Sequence, residues 1–531
     1  MSRCLLIGLF AAFSAATPVY SAEQIQFFYG PFEPTLAVDD LQHLAETGEV
    51  TGSLSVLSRH IDTEQMSELQ RFLNLEFNIS AVMMSQLTYS SVGEHLLQRT
   101  GEVIQTDSFL NSFYALRAAL LFAAEDNPLT VLDVIHHFPQ ETIQINFPLA
   151  MEVFEENQRL FTQRDIVMTT LREQAAARPS SPTQNFLDSP HQPGPYPWKT
   201  EKIAFHTPQR QEASQFYLFQ PAVTSTAPQS IPVVVISHGL ASSAWSLAYL
   251  AEHLASHGYG VILLEHPETT AQRFSEFFSG LAGPPNATTL LHRPRDITVA
   301  LDTLEQQAQH RPCLQKLNLH SVGVLGHSLG GYTALAAAGA EINAAQLART
   351  CQDDTLLRRP VLNLSMLIQC RLTEVPSDHS LVVQDDRIKA AIALNPLTSQ
   401  VFGEAGLGAL DVPVMIVSSL DDYFVPALPE QIEPYSWLQN RDRYLVLIEN
   451  GTHFSLLANT VDTGLPMPEF LIDSTPETTH QQMAALSLAF FERHLQQQSE
   501  AEIYLSQPYI DHLTGETHSF DIFSGNLPIN R

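Results

Sequence analysis

A serine bracketed by glycines, Gly326-His327-Ser328-Leu329-Gly330, stands between the apolar run 322–325 and an Ala-rich stretch, 333–338. That order reads as strand, sharp turn and helix, the setting a nucleophile elbow requires. A side chain at Gly326 or Gly330 would crowd a serine held in strained backbone geometry. Ser328 would project from the turn, and the Leu329 amide would open the helix facing any oxyanion that develops. A serine hydroxyl is a poor nucleophile at neutral pH, so it needs a base, and the base needs an acid that fixes its tautomer. On a parallel sheet these partners should follow in the order serine, acid, histidine, at the carboxyl ends of later strands.

Two loops fit. Ser418-Ser419-Leu420-Asp421-Asp422 follows the apolar run 414–417. Asp422 is the expected acid, with Asp421 as the alternative; the plainer reading is a pair of turn-forming aspartates. Asn450-Gly451-Thr452-His453 follows the run 444–448 and supplies the expected base. His453 stands out among 21 histidines because it lies at a strand end, after the acid loop and beside a glycine. A second oxyanion donor, Leu240 N–H, is expected from Ser237-His238-Gly239-Leu240, after the run 231–236. His238 is assigned no proton transfer. The substrate pocket is expected to draw on His238, Phe274, Phe278 and Phe454.

The elements that must position these residues change character along the chain. From 23 to 176 the periodicity is mainly helical after a short strand-like run at 25–29, and the apolar stretch 110–124 reads as a buried helix. A Pro- and Ser-rich segment, 177–199, marks a domain boundary. Beyond it strands alternate with helices, as in a parallel sheet with crossover helices. An antiparallel pair is expected to open this domain, followed by strands at 231–236, 261–264, 322–325, 388–394, 414–417 and 444–448. Helices are expected from Ser246, over 297–304 and over 477–495. The catalytic domain is placed at 200–499, with a cap-like insertion at 340–386 and a C-terminal tail at 500–531.

Length and charge narrow the function classes. The chain has 531 residues, enough for two cores. Its 27 Lys and Arg against 57 Asp and Glu leave a formal charge of −30, which argues against nucleic acid or anionic lipid as the main partner. Residues 1–22 carry Arg3, an apolar run at 5–16 and small residues at the end, the layout of a cleavable secretory signal cut after Ser21 or Ala22. The run is too short to span a bilayer comfortably. A periplasmic or secreted protein is therefore expected, with no transmembrane span in the mature chain. Export leaves Cys313, Cys351 and Cys370; Cys351 with Cys370 closes the shorter loop and is the preferred pair. No His or Cys spacing reads as a metal site, and the chemistry implies no cofactor.

His238-Gly239, Arg293-Pro294-Arg295-Asp296, Gly326-His327-Ser328-Leu329-Gly330-Gly331 and Gly451-Thr452-His453-Phe454-Ser455 resemble the dienelactone hydrolase and platelet-activating-factor acetylhydrolase branch of the α/β-hydrolases over about residues 200–497. The N-terminal part, with Phe27-Phe28-Tyr29-Gly30-Pro31-Phe32 and Val38-Asp39-Asp40-Leu41, resembles a helical domain found ahead of such hydrolases in exported bacterial proteins. The resemblance implies an α/β-hydrolase fold behind a smaller, mainly helical domain, with Ser328 as nucleophile, Asp422 as acid and His453 as base. Dienelactone hydrolases proper use cysteine, and the serine here moves the expectation toward cleavage of a small-molecule or lipid ester. A serine peptidase of the same fold and a non-catalytic binding protein are the competing expectations.

Overall fold

The computed structural model describes residues 21–527, apart from 29–32, 58–61, 126–127, 177–185, 187–189, 208–209, 211–212, 223–229, 353–362, 459–475 and 514–519. Residues 1–20 of the expected signal segment 1–22, and most of the Pro-rich segment 177–199, therefore lie outside the described residues. Two compact units form. The first takes in the chain up to Glu156 together with Phe278–Gly280, and the second begins at Asn157 and holds the rest. The division falls inside the helix Phe147–Ala176.

Helices dominate the first unit, and their starts follow from local chemistry. Asp62 accepts the Gln65 amide while the Gln65 side chain returns to the Asp62 amide, a capping box that begins Thr63–Leu73. Ser80 and Ser90 cap the next two helices. The unit also carries a small sheet ordered β2-β1-β4-β3, built from β1 (Gln24–Phe28), β2 (Thr35–Ala37), β3 (Ile104–Gln105) and β4 (Thr142–Asn146). Helical periodicity alone does not anticipate the last three. Leu41, Leu44, Leu54, Ala119 and Phe138 are sealed in its core. Ala22 packs there as well, and the Ser21 hydroxyl donates to the His136 carbonyl at 2.8 Å.

In the second unit a nine-stranded sheet runs β13-β12-β11-β10-β9-β7-β8-β6-β5. The strands are β5 (Trp198–Phe205), β6 (Ser214–Pro221), β7 (Ile231–Ser237), β8 (Gly260–Glu265), β9 (Leu317–His327), β10 (Ile388–Leu394), β11 (Val414–Ser419), β12 (Arg443–Ile448) and β13 (Phe520–Ser524). From β8 to β12 all neighbours are parallel, while β5, β6 and β13 pair antiparallel. Continuous apolar runs fit strands buried on both faces. Val233 and Val235 join one core and Val234 and Ile236 the other, and β11 splits in the same way. Helices Thr289–Ala308 and Leu329–Ala337 cover the first face; Ala248–Ser256 and Pro476–His494 cover the second.

Three local differences from the sequence reading have physical causes. The helix expected at 297–304 starts at Thr289 and runs through Pro294. Proline at 294 cannot donate to the Leu290 carbonyl, and the Tyr332 hydroxyl takes that acceptor instead at 3.0 Å. Ser246 lies in a 3-10 turn, Ala244–Leu247, that leads into the helix Ala248–Ser256. Where a tail was expected, Gln507–Leu513 forms a helix and β13 adds an edge strand to β12. Cys351 and Cys370 form a disulfide, Cα atoms 5.4 Å apart, and Cys313 is free and exposed. Among the described residues no helix is long and apolar enough to cross a membrane.

Candidate active site

Chain order around β7 sends β8 to one side of the sheet and β9 to the other, which opens a crevice at the carboxyl ends of the strands. Every residue of the site comes from a loop at that end. β9 stops at His327, and Ser328 turns the chain into the helix Leu329–Ala337 with φ 55° and ψ −118°. Its amide donates to the Leu394 carbonyl at 2.7 Å, which fixes the turn. The flanking glycines are steric necessities: a Cβ on Gly326 would stand 2.0 Å from the Gly330 carbonyl oxygen, and one on Gly330 2.1 Å from that of Ser237. Strain concentrates here. Of the six non-glycine residues described with positive φ, Ala241, Ser328, Asn395 and Asn450 all lie in these strand-end loops.

β12 delivers His453 and β11 delivers Asp422. His453 Nε2 lies 3.0 Å from Ser328 Oγ, and its Nδ1 lies 2.5 Å from Asp422 Oδ2. The remaining Asp422 oxygen accepts the amides of Phe424 and Val425, both at 2.8 Å. Those two bonds orient the carboxylate toward the imidazole. Asp421 is committed elsewhere: its carboxylate meets Arg164 at 3.1 Å, and its amide donates to the Gly451 carbonyl at 2.9 Å. Ser328, His453 and Asp422 are all buried, at 8 %, 7 % and 2 % exposure, with the carboxylate deepest.

The loop carrying Leu240 lies beside this serine. A Cβ on Gly239 would stand 3.4 Å from Ser328 Cβ and 3.2 Å from His327 Nδ1. Leu240 is partly buried against the core, and Leu329 is the first residue of the elbow helix. Both nitrogens of His238 are occupied: Nε2 accepts the His266 amide at 3.0 Å, so Nδ1 carries the proton and donates to the Gly239 carbonyl at 2.7 Å. Burial, aided by Arg293, holds this imidazole down to about 3, and it is neutral. Phe454 sets its ring perpendicular to that of His453 at 5.3 Å, and Phe424 closes on both. Phe274 is buried against Phe277 in the helix Ala271–Phe278, while Phe278 groups with the first unit.

Several residues around the site were not singled out from the sequence. His327 Nε2–H donates to the His453 carbonyl at 2.8 Å, and Asn395 Nδ2 reaches the same oxygen at 3.4 Å. Both therefore brace the histidine loop. A second serine–histidine–aspartate chain lies beneath β7: Ser237 Oγ is 2.9 Å from His266 Nε2, and His266 Nδ1 is 2.8 Å from Asp296 Oδ2. Arg210 meets Asp296 at 2.7 Å and Glu268 at 2.9 Å. Arg293 and Asp296 belong to the motif Arg293-Pro294-Arg295-Asp296, but spacing alone gives neither a partner.

The sheet order, the elbow and the covering helices define an α/β-hydrolase fold. Residues 232–347 match the family model described as alpha/beta hydrolase fold, which spans β7 through the elbow helix. Residues 21–146 match a second family, described as alpha/beta hydrolase of unknown function (DUF1400). No curated protein matches the chain. The fold and the two matches support a hydrolase.

Proposed function

We propose that the chain is a serine hydrolase that cleaves carboxylic esters through an acyl-enzyme. The reading rests on one observation, the unbroken bonding from Ser328 Oγ through the His453 ring to Asp422 on a strained elbow. Ser328 Oγ attacks the ester carbonyl carbon, its proton passes to His453 Nε2, and the carbonyl electron pair moves onto oxygen. Leu240 and Leu329 amides receive that oxyanion. Collapse expels the alcohol, protonated by His453, and water repeats the sequence to free the acid. Asp422 holds the Nδ1–H tautomer and stabilises the imidazolium.

The finer reading is an acetylhydrolase-like or lipase-like enzyme for short-chain or phospholipid esters, in the dienelactone hydrolase and platelet-activating-factor acetylhydrolase branch. Phe454 and Phe274 are proposed to contribute to its acyl pocket. Export by the N-terminal segment, and the division into a first domain, a Pro-rich linker and a catalytic domain, belong to the same proposal. The test is covalent labelling by a fluorophosphonate, followed by a panel of nitrophenyl esters, phospholipids and peptides. Labelling of Ser328 with ester turnover is expected. No adduct on Ser328 in folded protein would remove the mechanism, and turnover of peptides alone would replace the ester by an amide.

A further inference from the structure

Arg293 is fully buried, and the bonds of its guanidinium go to neutral oxygens. Nε donates to Thr333 Oγ1 at 3.1 Å, Nη1 to Thr269 Oγ1, and Nη2 to Ser237 Oγ at 3.2 Å and to the His238 carbonyl. Asp296, one turn further along the helix, is already held by Arg210 and His266. A positive charge thus stands directly under the loop that carries Leu240, with its own hydrogen bonds made to hydroxyls and to that loop.

The loop above it is pinned at two successive peptides. Arg293 holds the His238 carbonyl, and the His238 ring holds the Gly239 carbonyl. A trans peptide points its C=O and N–H in opposite directions. With the Gly239 carbonyl turned onto the imidazole, the Leu240 N–H faces away from it. The tautomer that makes this possible is set by the His266 amide on Nε2.

We infer that Arg293 is a positioning residue for the oxyanion loop: it fixes the His238 carbonyl from below, keeps the Leu240 amide set for the substrate's carbonyl oxygen, and favours negative charge there. The inference rests on the serine-hydrolase reading above. Backbone donors work only when aimed at the oxyanion before it forms, and a buried charge acts strongly where water is excluded.

The test compares Arg293→Met and Arg293→Lys with the unaltered protein on a nitrophenyl ester and on a trifluoromethyl ketone. Ser328 Oγ adds to that ketone, His453 takes the proton, and the oxyanion remains in the loop. In R293M, kcat should fall roughly 30- to 100-fold with KM within about twofold, and ketone affinity should weaken in parallel. R293K should recover part of both. Should R293M fail to fold, Thr333→Val removes the Nε bond while keeping the charge, and a smaller parallel loss of about fivefold is expected. Unchanged kcat and ketone affinity in folded variants, or a loss confined to KM, would overturn the inference. Fluorophosphonate labelling of the unaltered protein separates the two ideas. No label there removes the serine-hydrolase reading itself, whereas a labelled, active protein indifferent to Arg293 removes only this inference.

Discussion

Ser328–His453–Asp422 and Ser237–His266–Asp296 share one pattern of bonds, with spacings of 3.0 and 2.5 Å in the first and 2.9 and 2.8 Å in the second. Their surroundings differ in every other respect. Ser237 ends an ordinary strand, paired with β8 and β9, whereas Ser328 occupies a left-handed turn. The second set is completely buried, and Arg293 donates to its serine. Burial pushes Asp296 up to about 7 against the pull of Arg210, and His266 well down. A hydroxyl sealed on all sides has no room for a carbonyl carbon, so hydrogen-bond connectivity alone does not make a nucleophile. What distinguishes the proposed site is the elbow, which brings one serine toward the crevice beside two candidate amides.

The sharpest way to break this comparison is to remove each serine. Ser328→Ala should abolish fluorophosphonate labelling and reduce ester turnover by roughly 10⁴-fold or more. Ser237→Ala should still label at Ser328 and lose about 1–3 kcal/mol of stability, because Arg293 and His266 each lose a buried partner. Mass spectrometry of the adduct decides the matter. Label on Ser237, or on neither serine of the unaltered protein, would dissolve the distinction.

The two acids allow the next comparison. Asp422→Asn should lower kcat by roughly 10³–10⁴-fold, because an amide cannot hold the required tautomer. Asp421→Asn should cost less than about threefold, since its carboxylate serves a partly exposed ion pair with Arg164. Equal losses would mean that the loop as a whole matters more than which carboxylate faces His453. Asp296→Asn, in the sealed set, should instead appear in unfolding experiments. It breaks a buried pair and should cost roughly 3 kcal/mol while Ser328 still labels.

How much of this the sequence reveals depends on whether a residue's role is local. Ser328 and His453 are legible because each ends an apolar run and stands among residues that tight turns demand. Asp422 and Asp421 are neighbours in one loop, and what separates them is their partners: His453 and the Phe424 and Val425 amides for Asp422, Arg164 for Asp421. Ser237, His266 and Asp296 also sit near strand ends or in a helix, but their association is purely tertiary and has no sequence period. The small strands fail differently. Thr142–Asn146 alternates polar and apolar residues, yet it runs straight into the long helix Phe147–Ala176, whose period dominates any wider window. β13, Phe520-Asp521-Ile522-Phe523-Ser524, keeps no strict alternation and sits beyond the closing helix, where no further strand is anticipated.

The sealed set and its neighbours also predict a pH dependence of stability. Burial first of all holds His238 and His327 down to about 3 and His253 to about 4, with His266 well below its ordinary range. These imidazoles are neutral in the folded chain and take up protons on unfolding below about 6.5. The unfolded state then binds more protons, so stability falls as pH drops from about 6.5 toward 4. Glu265 and Asp296, pushed up to about 7 by burial, act in the opposite sense. There the folded state binds more protons between about 4 and 7, and stability falls as pH rises through that window. Four imidazoles against two carboxyls leave a net loss on acidification. Urea midpoints at pH about 7 and about 4.5 measure it, and a higher midpoint in acid would contradict the assignment. D296N, which removes one opposing carboxyl, should steepen the loss.

The smallest effect expected concerns the loop that holds the acid. Arg164, on the helix Phe147–Ala176, donates to the Leu420 carbonyl at 2.6 Å and to Asp421, and its guanidinium packs over Phe161. Phe161 in turn meets Tyr423 on the far side of Asp422. Helix and loop thus hold the Asp422 backbone from both flanks without touching its carboxylate. Arg164→Ala should therefore lower kcat by about tenfold or less and leave KM nearly unchanged, because displacing the proposed acid misaligns His453 without altering the proposed acyl pocket. Arg164→Lys should recover part of the loss by restoring the bond to Leu420. Combined with Asp421→Asn, R164A should cost no more than it does alone, since both changes break the same contact. Additive losses would show that Arg164 acts on catalysis through something other than the acid loop.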